Sequence, residues 1–381
     1  MKKNPVRILF SAISGYGFYY LKSFFEDIPP EEATLAGVID PTPEKSGHYE
    51  RIKSMNCPVY PDIEQFFAAG HQADLTVISS PIHFHIPQAI CALKNNSNVL
   101  IDKPLSGSTG EAKALIRVKN ETGHHVEVGY QWSFSEAIGK LKLDLLSGYY
   151  GKPKRMKTIC LWPRDYAYYQ RNNWAGKIQS AEGIPILDSP ANNACAHFLH
   201  NLFFLMIGDQ GLGEPSLEVS GELYRAYDIE NYDTVAARCQ LEDQTELYFY
   251  FSHTTESLRN PEFIIECERG MVHYGGQFKE IVGIRDDGAR KYYGSPDDTP
   301  QFHKLKIAIE SVGQRRPAVC PPEIAHFQTA CIEKLQVPSA KICTFPDPWI
   351  TSLPEKRMVP DLDTLLGAGY DLWRPGLACP K

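Results

Sequence analysis

Short apolar runs alternate with helix-like segments through the first 130 residues, and this alternation constrains the fold more than any other feature. Val6–Ala12, Thr34–Asp40 and Asp74–Ser80 each read as a strand closed by a turn or a proline. Asn98–Ile101 and Val126–Tyr130 are shorter runs of the same kind. Tyr16–Phe25 reads as a helix start, and Pro87–Leu93 and Gly110–Glu121 are helix-like. Strands apolar on both faces, separated by helices, specify a parallel sheet covered on both sides. The uncharged stretch Ile8–Leu21, behind Lys2, Lys3 and Arg7, superficially resembles a secretion signal. Its aromatic second half, and Lys22 in place of a small-residue cleavage site, favour a strand followed by a helix.

The pattern changes after Tyr130. Ser135–Ser147 is helix-like and ends at Gly148. Longer strands are then expected at Lys154–Trp162, Leu217–Tyr224, Thr234–Gln240, Glu246–Ser252 and Phe263–Glu268. They are rich in β-branched and aromatic residues and several alternate in polarity, which suggests a mixed or antiparallel sheet with one covered face. The Pro-rich tail after Thr344 is expected to wrap the surface. A chain of 381 residues accommodates two domains, here 1–130 and 131–381. The fold class is α/β: a doubly wound parallel sheet, then an α+β domain with a large open, mostly antiparallel sheet.

Net charge is −7, from 39 basic and 46 acidic residues, which argues against a general nucleic-acid binder. The ten cysteines are scattered without C-x-x-C spacing, as expected of reduced thiols in a cytoplasmic protein. The longest other uncharged runs contain Pro, Asn and His, so no membrane span is expected.

The first strand runs into Ala12-Ile13-Ser14-Gly15-Tyr16-Gly17. A dinucleotide fingerprint has glycines where this chain has Ala12, Ser14 and Gly17. Small residues still admit a pyrophosphate to the backbone, and the following helix offers its N-terminal amides. Asp40, closing the second strand, stands where a carboxylate accepts hydrogen bonds from an adenosine ribose. It would repel a 2′-phosphate, so NAD is favoured over NADP.

Three further segments carry a resemblance: Ser80-Pro81-Ile82-His83-Phe84-His85, then Val99-Leu100-Ile101-Asp102-Lys103-Pro104, then Val128-Gly129-Tyr130-Gln131-Trp132. In this order they resemble the Gfo/Idh/MocA family, the glucose–fructose oxidoreductase and inositol dehydrogenase group. The resemblance covers roughly the first 210 residues and implies a Rossmann domain followed by an α/β domain with a large open sheet. Asp102-Lys103-Pro104 stands for the family's Glu-Lys-Pro, and the resemblance sets Lys103 beside both nicotinamide and substrate. A lysine at a strand's C-terminal end also lies at the edge where open α/β sheets bind ligands, and its ammonium can stabilise alkoxide character. The resemblance likewise implies cofactor contacts at Ser80, Pro81, His85 and Asp102. His83 has no family counterpart. Homodimers or homotetramers through the exposed sheet face are expected on the same ground.

Asn193, His197 and His200 recur at spacings of four and three and would share one helix face. The family carries Asp and, four residues on, His at such a helix, with the His as general acid/base. His197 fits; Asn193 replaces the Asp. An amide orients a hydroxyl but cannot stabilise an imidazolium with a full charge. Proton chemistry is therefore shared with Lys103 or His200, altered, or lost. Upstream, Tyr169, Arg171, Asn172, Trp174 and Lys177 combine stacking aromatics with cationic and amide donors, a set that suits a sugar. His83, His85, His197 and His200 could instead supply metal ligands, but no carboxylate stands at ligand spacing, so no metal is expected.

The expected function is a nicotinamide-dependent oxidoreductase acting on a sugar, sugar derivative or cyclitol hydroxyl, with Lys103, His197 and Asn193 as catalytic residues. Two alternatives stay open. One is an NAD-dependent glycoside hydrolase that oxidises a ring hydroxyl transiently. The other is a non-catalytic ligand-binding or regulatory protein on the same scaffold.

Overall fold

The apolar runs of the N-terminal region are strands of one parallel sheet: β1 (Val6–Ser11), β2 (Ala33–Ile39), β3 (Val59–Tyr60), β4 (Leu75–Ile78), β5 (Asn98–Ile101) and β6 (Val126–Val128). Their order is β3-β2-β1-β4-β5-β6, the doubly wound arrangement with its switch point between β1 and β4. The connecting helices are α1 (Tyr16–Asp27), α2 (Tyr49–Ser54), α3 (Ile63–Ala68), α4 (Ile82–Lys94) and α5 (Thr109–Thr122). Helix α4 starts earlier than its sequence suggests and carries Pro87 in its interior.

The computed structural model describes residues 4–208, 213–336 and 341–376. They divide into two units: Met1–Phe134 with Pro300–Ala325, and Ser135–Thr299 with His326–Lys381.

The second unit is built on α6 (Glu136–Leu146), β7 (Pro153–Leu161), α7 (Tyr166–Gln170), α8 (Ala196–Met206), β8 (Leu217–Arg225), β9 (Thr234–Leu241), β10 (Glu246–Ser252), β11 (Arg259–Cys267), β12 (Gly270–Gly275), β13 (Phe278–Arg285) and β14 (Arg290–Gly294). The chain then forms α9 (His303–Gln314) and α10 (Pro322–Leu335), and returns through β15 (Ile342–Thr344) to α11 (Leu362–Leu372). Nine strands make one sheet in the order β14-β13-β12-β11-β7-β10-β9-β8-β15. Only the β7–β10 and β8–β15 pairs are parallel. The fold is therefore α/β, a parallel Rossmann sheet followed by a mixed, mostly antiparallel one.

Two features differ from the sequence reading. The Pro-rich tail does not merely wrap: Leu362, Leu366 and Tyr370 of α11 pack with Ile159, Leu161, Tyr248 and Tyr250 of β7 and β10. Side chains alternate along a strand. The thiol of Cys160, between Ile159 and Leu161, meets that of Cys195 at the start of α8. The sheet is thus covered on both faces at β7, not on one. Among the described residues all cysteines are free, while Cys379 lies outside them.

The second difference is that residues 300–325 belong with the first unit, although the sequence reading ran one domain unbroken from 131 to 381. The reason is α9. Its Leu305, Ala308 and Ile309 join Ile8, Phe10, Leu75, Val77 and Leu100 in the first core. Its Lys304 is 1% exposed and pairs with Asp102 at 2.8 Å. Lys304 also donates to the Gly129 carbonyl at 3.0 Å, while Tyr20 donates to the same Asp102 oxygen at 2.9 Å. Burial opposes the Lys304 charge, but Asp102 and the Tyr16 oxygen outweigh it and hold the ammonium above the usual lysine range.

Removing one partner of a buried pair strands the other charge. Lys304→Met is expected to cost about 3–5 kcal/mol in urea unfolding, and the Asp102→Asn/Lys304→Met double variant to recover most of it. Equal losses in the two variants would contradict a buried charge pair.

In the second unit, buried Asp233 accepts from the backbone amides of Ala226 and Tyr227 at 2.7 and 2.9 Å. Burial pushes its carboxyl up to about 6 against these bonds, from an ordinary 3.8. Between those values the unfolded chain releases a proton that the folded chain keeps. The Asp233 contribution is complete below about pH 4 and is lost as pH rises through 6. Asp233→Asn is expected to flatten this part of the melting temperature against pH curve. An unchanged slope would contradict the assignment.

Candidate active site

The turn after β1 is built for close approach. Ala12 and Gly15 adopt φ of 64° and 56°. A Cβ on Gly17 would lie 2.0 Å from the Ala12 carbonyl oxygen, so only glycine lets α1 pack against the turn. Ser14 and Gly15 precede α1, which no side chain caps; the Gly17 amide bonds back to the Ser14 carbonyl at 3.0 Å and closes the turn at the helix's N-terminal end. No acidic residue stands in its first turn. This end of α1 fits a pyrophosphate.

Asp40 is 6% exposed and holds the same turn. One oxygen accepts from Ile13 N at 3.0 Å and the other from Thr42 N at 2.9 Å. The oxygen facing Thr42 also takes that residue's hydroxyl at 3.4 Å, and the one facing Ile13 keeps a further lone pair for a ribose hydroxyl. Two residues missed in the sequence complete the turn. Gln88 Oε1 accepts from the hydroxyls of both Ser11 and Ser80, and Ser46 donates to the Ile13 carbonyl. Tyr16, expected to touch cofactor, instead turns toward Lys304 and accepts from Gln301 Nε2 at 2.8 Å.

Asp102 and Lys103 leave the end of β5. Asp102 is committed to Lys304 and Tyr20, and half-buried Lys103 follows it before Pro104. His85 ties this turn to the one after β4. Its Nδ1 lies 2.8 Å from the Pro104 carbonyl and its Nε2 2.8 Å from the Ser80 carbonyl. Burial lowers its pKa despite these acceptors and Asp102, so the ring is neutral at pH 7 and donates to one carbonyl. His85 is thus a buried brace between Ser80 and the Lys103-Pro104 turn. His83 is also buried and packs on Phe84.

In the second unit Asn193 is not on the helix. Pro190–Asn192 forms a short 3-10 turn capped by Ser189, and α8 begins only at Ala196. Asn193 therefore does not share a helix face with His197 and His200. Instead its Nδ2 donates to Asp188 Oδ1 at 2.6 Å. Asp188 is 2% exposed, and its other oxygen accepts from Gly176 N at 2.6 Å and lies 3.9 Å from Arg171 Nη2. Sequence spacing missed this acid because it stands upstream of the helix. Leu187, next to it, holds φ of 51°, a left-handed conformation costly for a bulky residue and concentrated at functional sites.

His197, half-buried, lies in the first turn of α8. His200, expected to touch substrate, is fully buried beside Phe204, and burial with the Lys142 charge holds its pKa well below the usual range. It is a neutral core residue. The aromatic segment is split. Arg171 stacks on Tyr168 and lies 5.3 Å from the ring centre of Trp174, on the Asp188 side. Tyr169, Asn172 and Lys177 line a separate cleft of about 780 Å³. Among the described residues no group of three or more His, Cys, Asp or Glu side chains is placed to hold a metal. None of the described helices is long and apolar enough to cross a membrane.

Comparison with known proteins agrees with this geometry. Residues 11–130 match the model of the GFO_IDH_MocA oxidoreductase family with its NAD-binding Rossmann fold. The scyllo-inositol 2-dehydrogenase (NAD(+)) of Bacillus subtilis is 24% identical over 238 residues, spanning 62% of this chain and 66%, just under two thirds, of that relative. In fold, the chain is similar to the WlbA dehydrogenase of Bordetella pertussis, solved with NADH and UDP-GlcNAcA. The TM-score is 0.69 at 17% identity, covering 87% of this chain and 95% of that one. An apo scyllo-inositol dehydrogenase from Lactobacillus casei gives 0.67 at 17% identity, covering 88% and 96%. The family match covers the cofactor segment, residues 11–130, which is similar to the NAD-binding Rossmann domain of the Gfo/Idh/MocA oxidoreductases.

Proposed function

We propose that this protein is an NAD-dependent oxidoreductase acting on a secondary hydroxyl of a sugar, sugar derivative or cyclitol. The observation that carries the reading is the pairing of an uncapped α1 N-terminus with buried Asp40 in a segment matching an NAD-binding family. The names of the relatives supply the substrate class, since they are inositol and nucleotide-sugar dehydrogenases. Residues 1–130 with the α9 return serve the cofactor, and the second unit serves substrate and self-association as a homodimer or homotetramer.

Ser14, Gly15 and Gly17 would hold the pyrophosphate, and Asp40 the adenosine ribose, with Ala12, Ser80, Pro81 and His85 shaping the pocket. The chemistry a bound nicotinamide would supply is hydride acceptance. Lys103 stabilises negative charge developing on the carbinol oxygen. His197 removes the hydroxyl proton. Asn193, its amide nitrogen committed to Asp188, presents Oδ1 to a substrate hydroxyl. The carboxylate missing at position 193 is thus supplied one hydrogen bond away, and Arg171 balances its charge.

The test is NADH formation from NAD with scyllo-inositol, myo-inositol and nucleotide-sugar substrates. Lys103→Met is expected to lower kcat about 100- to 1000-fold and His197→Ala about 100- to 10,000-fold, with NADH affinity unchanged. Asp188→Ala is expected to cost about 10- to 100-fold in kcat/KM. Full activity in Lys103→Met would overturn the reading. Sugar release without NADH accumulation would replace it with the hydrolytic alternative.

A further inference from the structure

The cleft of about 780 Å³ lies wholly in the second unit and is not lined by His197, Asn193 or Asp188. Its volume is within the range of small-molecule sites. Three tyrosines form its aromatic wall. Tyr227 packs on Tyr166 at 5.5 Å and on Tyr169 at 4.8 Å between ring centres.

The cations of this wall are hydrogen-bonded within the unit. Lys177 pairs with Glu230 at 2.6 Å. Arg225 Nη1 donates to the carbonyls of Ile229 and Glu230 at 2.7 and 2.9 Å, and Arg357 Nη1 to that of Ala226 at 2.8 Å. Glu230 offsets Lys177, while Arg225 and Arg357 keep their charge, and the buried Arg357 Nε has no hydrogen-bond partner among the described residues. What remains is neutral or mixed. Gln170, Asn173 and Asp228 line the cleft, are exposed, and make no hydrogen bond or ion pair among the described residues. Asn172 has its oxygen committed to two backbone amides, which turns its Nδ2 donor outward. Aromatic rings flanked by uncommitted amides and one carboxylate match the apolar faces and hydroxyl rim of a sugar ring.

We propose that this cleft is a second, saccharide-binding site that takes one sugar unit. That unit is either the distal residue of a longer substrate or a separate sugar, and only the first source rests on the function proposed above. The cleft is also coupled to the other half-site. Gly176 lines it and donates its amide to the Asp188 oxygen opposite the one that holds Asn193. A ligand that fixes this wall fixes Asp188 as well.

The experiment titrates the full-length protein with methyl β-glucoside, N-acetylglucosamine and cellobiose by ligand-observed NMR. Wild type, His197→Ala, Tyr166→Ala and Asp228→Ala are compared, and NADH binding is measured in parallel. Saturable binding is expected in wild type and in His197→Ala, with at least tenfold weakening in Tyr166→Ala and Asp228→Ala and no change in NADH affinity. Cellobiose binding at least tenfold tighter than the glucoside marks a distal substrate residue; equal binding marks a separate sugar. Absence of saturable binding for all three sugars, or binding indifferent to both cleft variants, would overturn the site. Sugar binding without any NADH binding would overturn the redox reading and leave the cleft standing.

Discussion

A single buried ion pair, Lys304 with Asp102, ties the α9 return to the end of β5 inside the first unit, alongside the apolar packing of Leu305, Ala308 and Ile309. Asp102 immediately precedes the proposed catalytic lysine at the C-terminal end of β5. Its carboxylate takes an ammonium from one direction and the Tyr20 hydroxyl from another. Both donors come from helices in the first core, so the carboxylate cannot move without disturbing α1 and α9 together. A buried pair of this kind contributes little net stability compared with apolar packing, but breaking it is costly. It therefore acts as a geometric lock on the turn that carries Lys103. The chain leaves the first unit at Phe134 and returns at Pro300 with Lys304.

The second unit relocates charge instead of deleting it. Where the family resemblance leads one to expect an aspartate, Asn193 stands, and this looked like a loss of catalytic capacity. Asp188 reverses that reading. Its two oxygens hold Asn193 on one side and the Gly176 amide on the other, with Arg171 close by. The amide keeps a defined orientation, and negative charge is retained one hydrogen bond away from Asn193. Leu187, next to Asp188, holds a left-handed backbone conformation that is costly for a bulky residue.

The parallel sheet was legible because its strands are apolar on both faces, a signal that survives without partners. Strand β3, with only Val59 and Tyr60, is too short to register a period. The hairpins of β12–β14 alternate around glycines and exposed residues, which weakens the pattern. Helix α9 has a clear apolar face at Leu305, Ala308 and Ile309. Periodicity reveals that face but not which sheet it will cover. The spacing of Asn193, His197 and His200 was read as one helix. Ser189 and Pro190 start a separate 3-10 turn first, so spacing held while secondary structure did not. His200 illustrates the complementary limit: a histidine beside Leu199, Leu202 and Phe203 is buried with them, whatever its place on a polar stripe.

The central claim is that the first unit is built for NAD. Calorimetric titration of the full-length protein with NADH and NADPH tests it most directly. Buried Asp40 at the end of β2 predicts saturable NADH binding and NADPH binding at least about tenfold weaker, with Asp40→Ala narrowing the gap. Equal affinity for the two nucleotides, or no binding of either, would contradict the account.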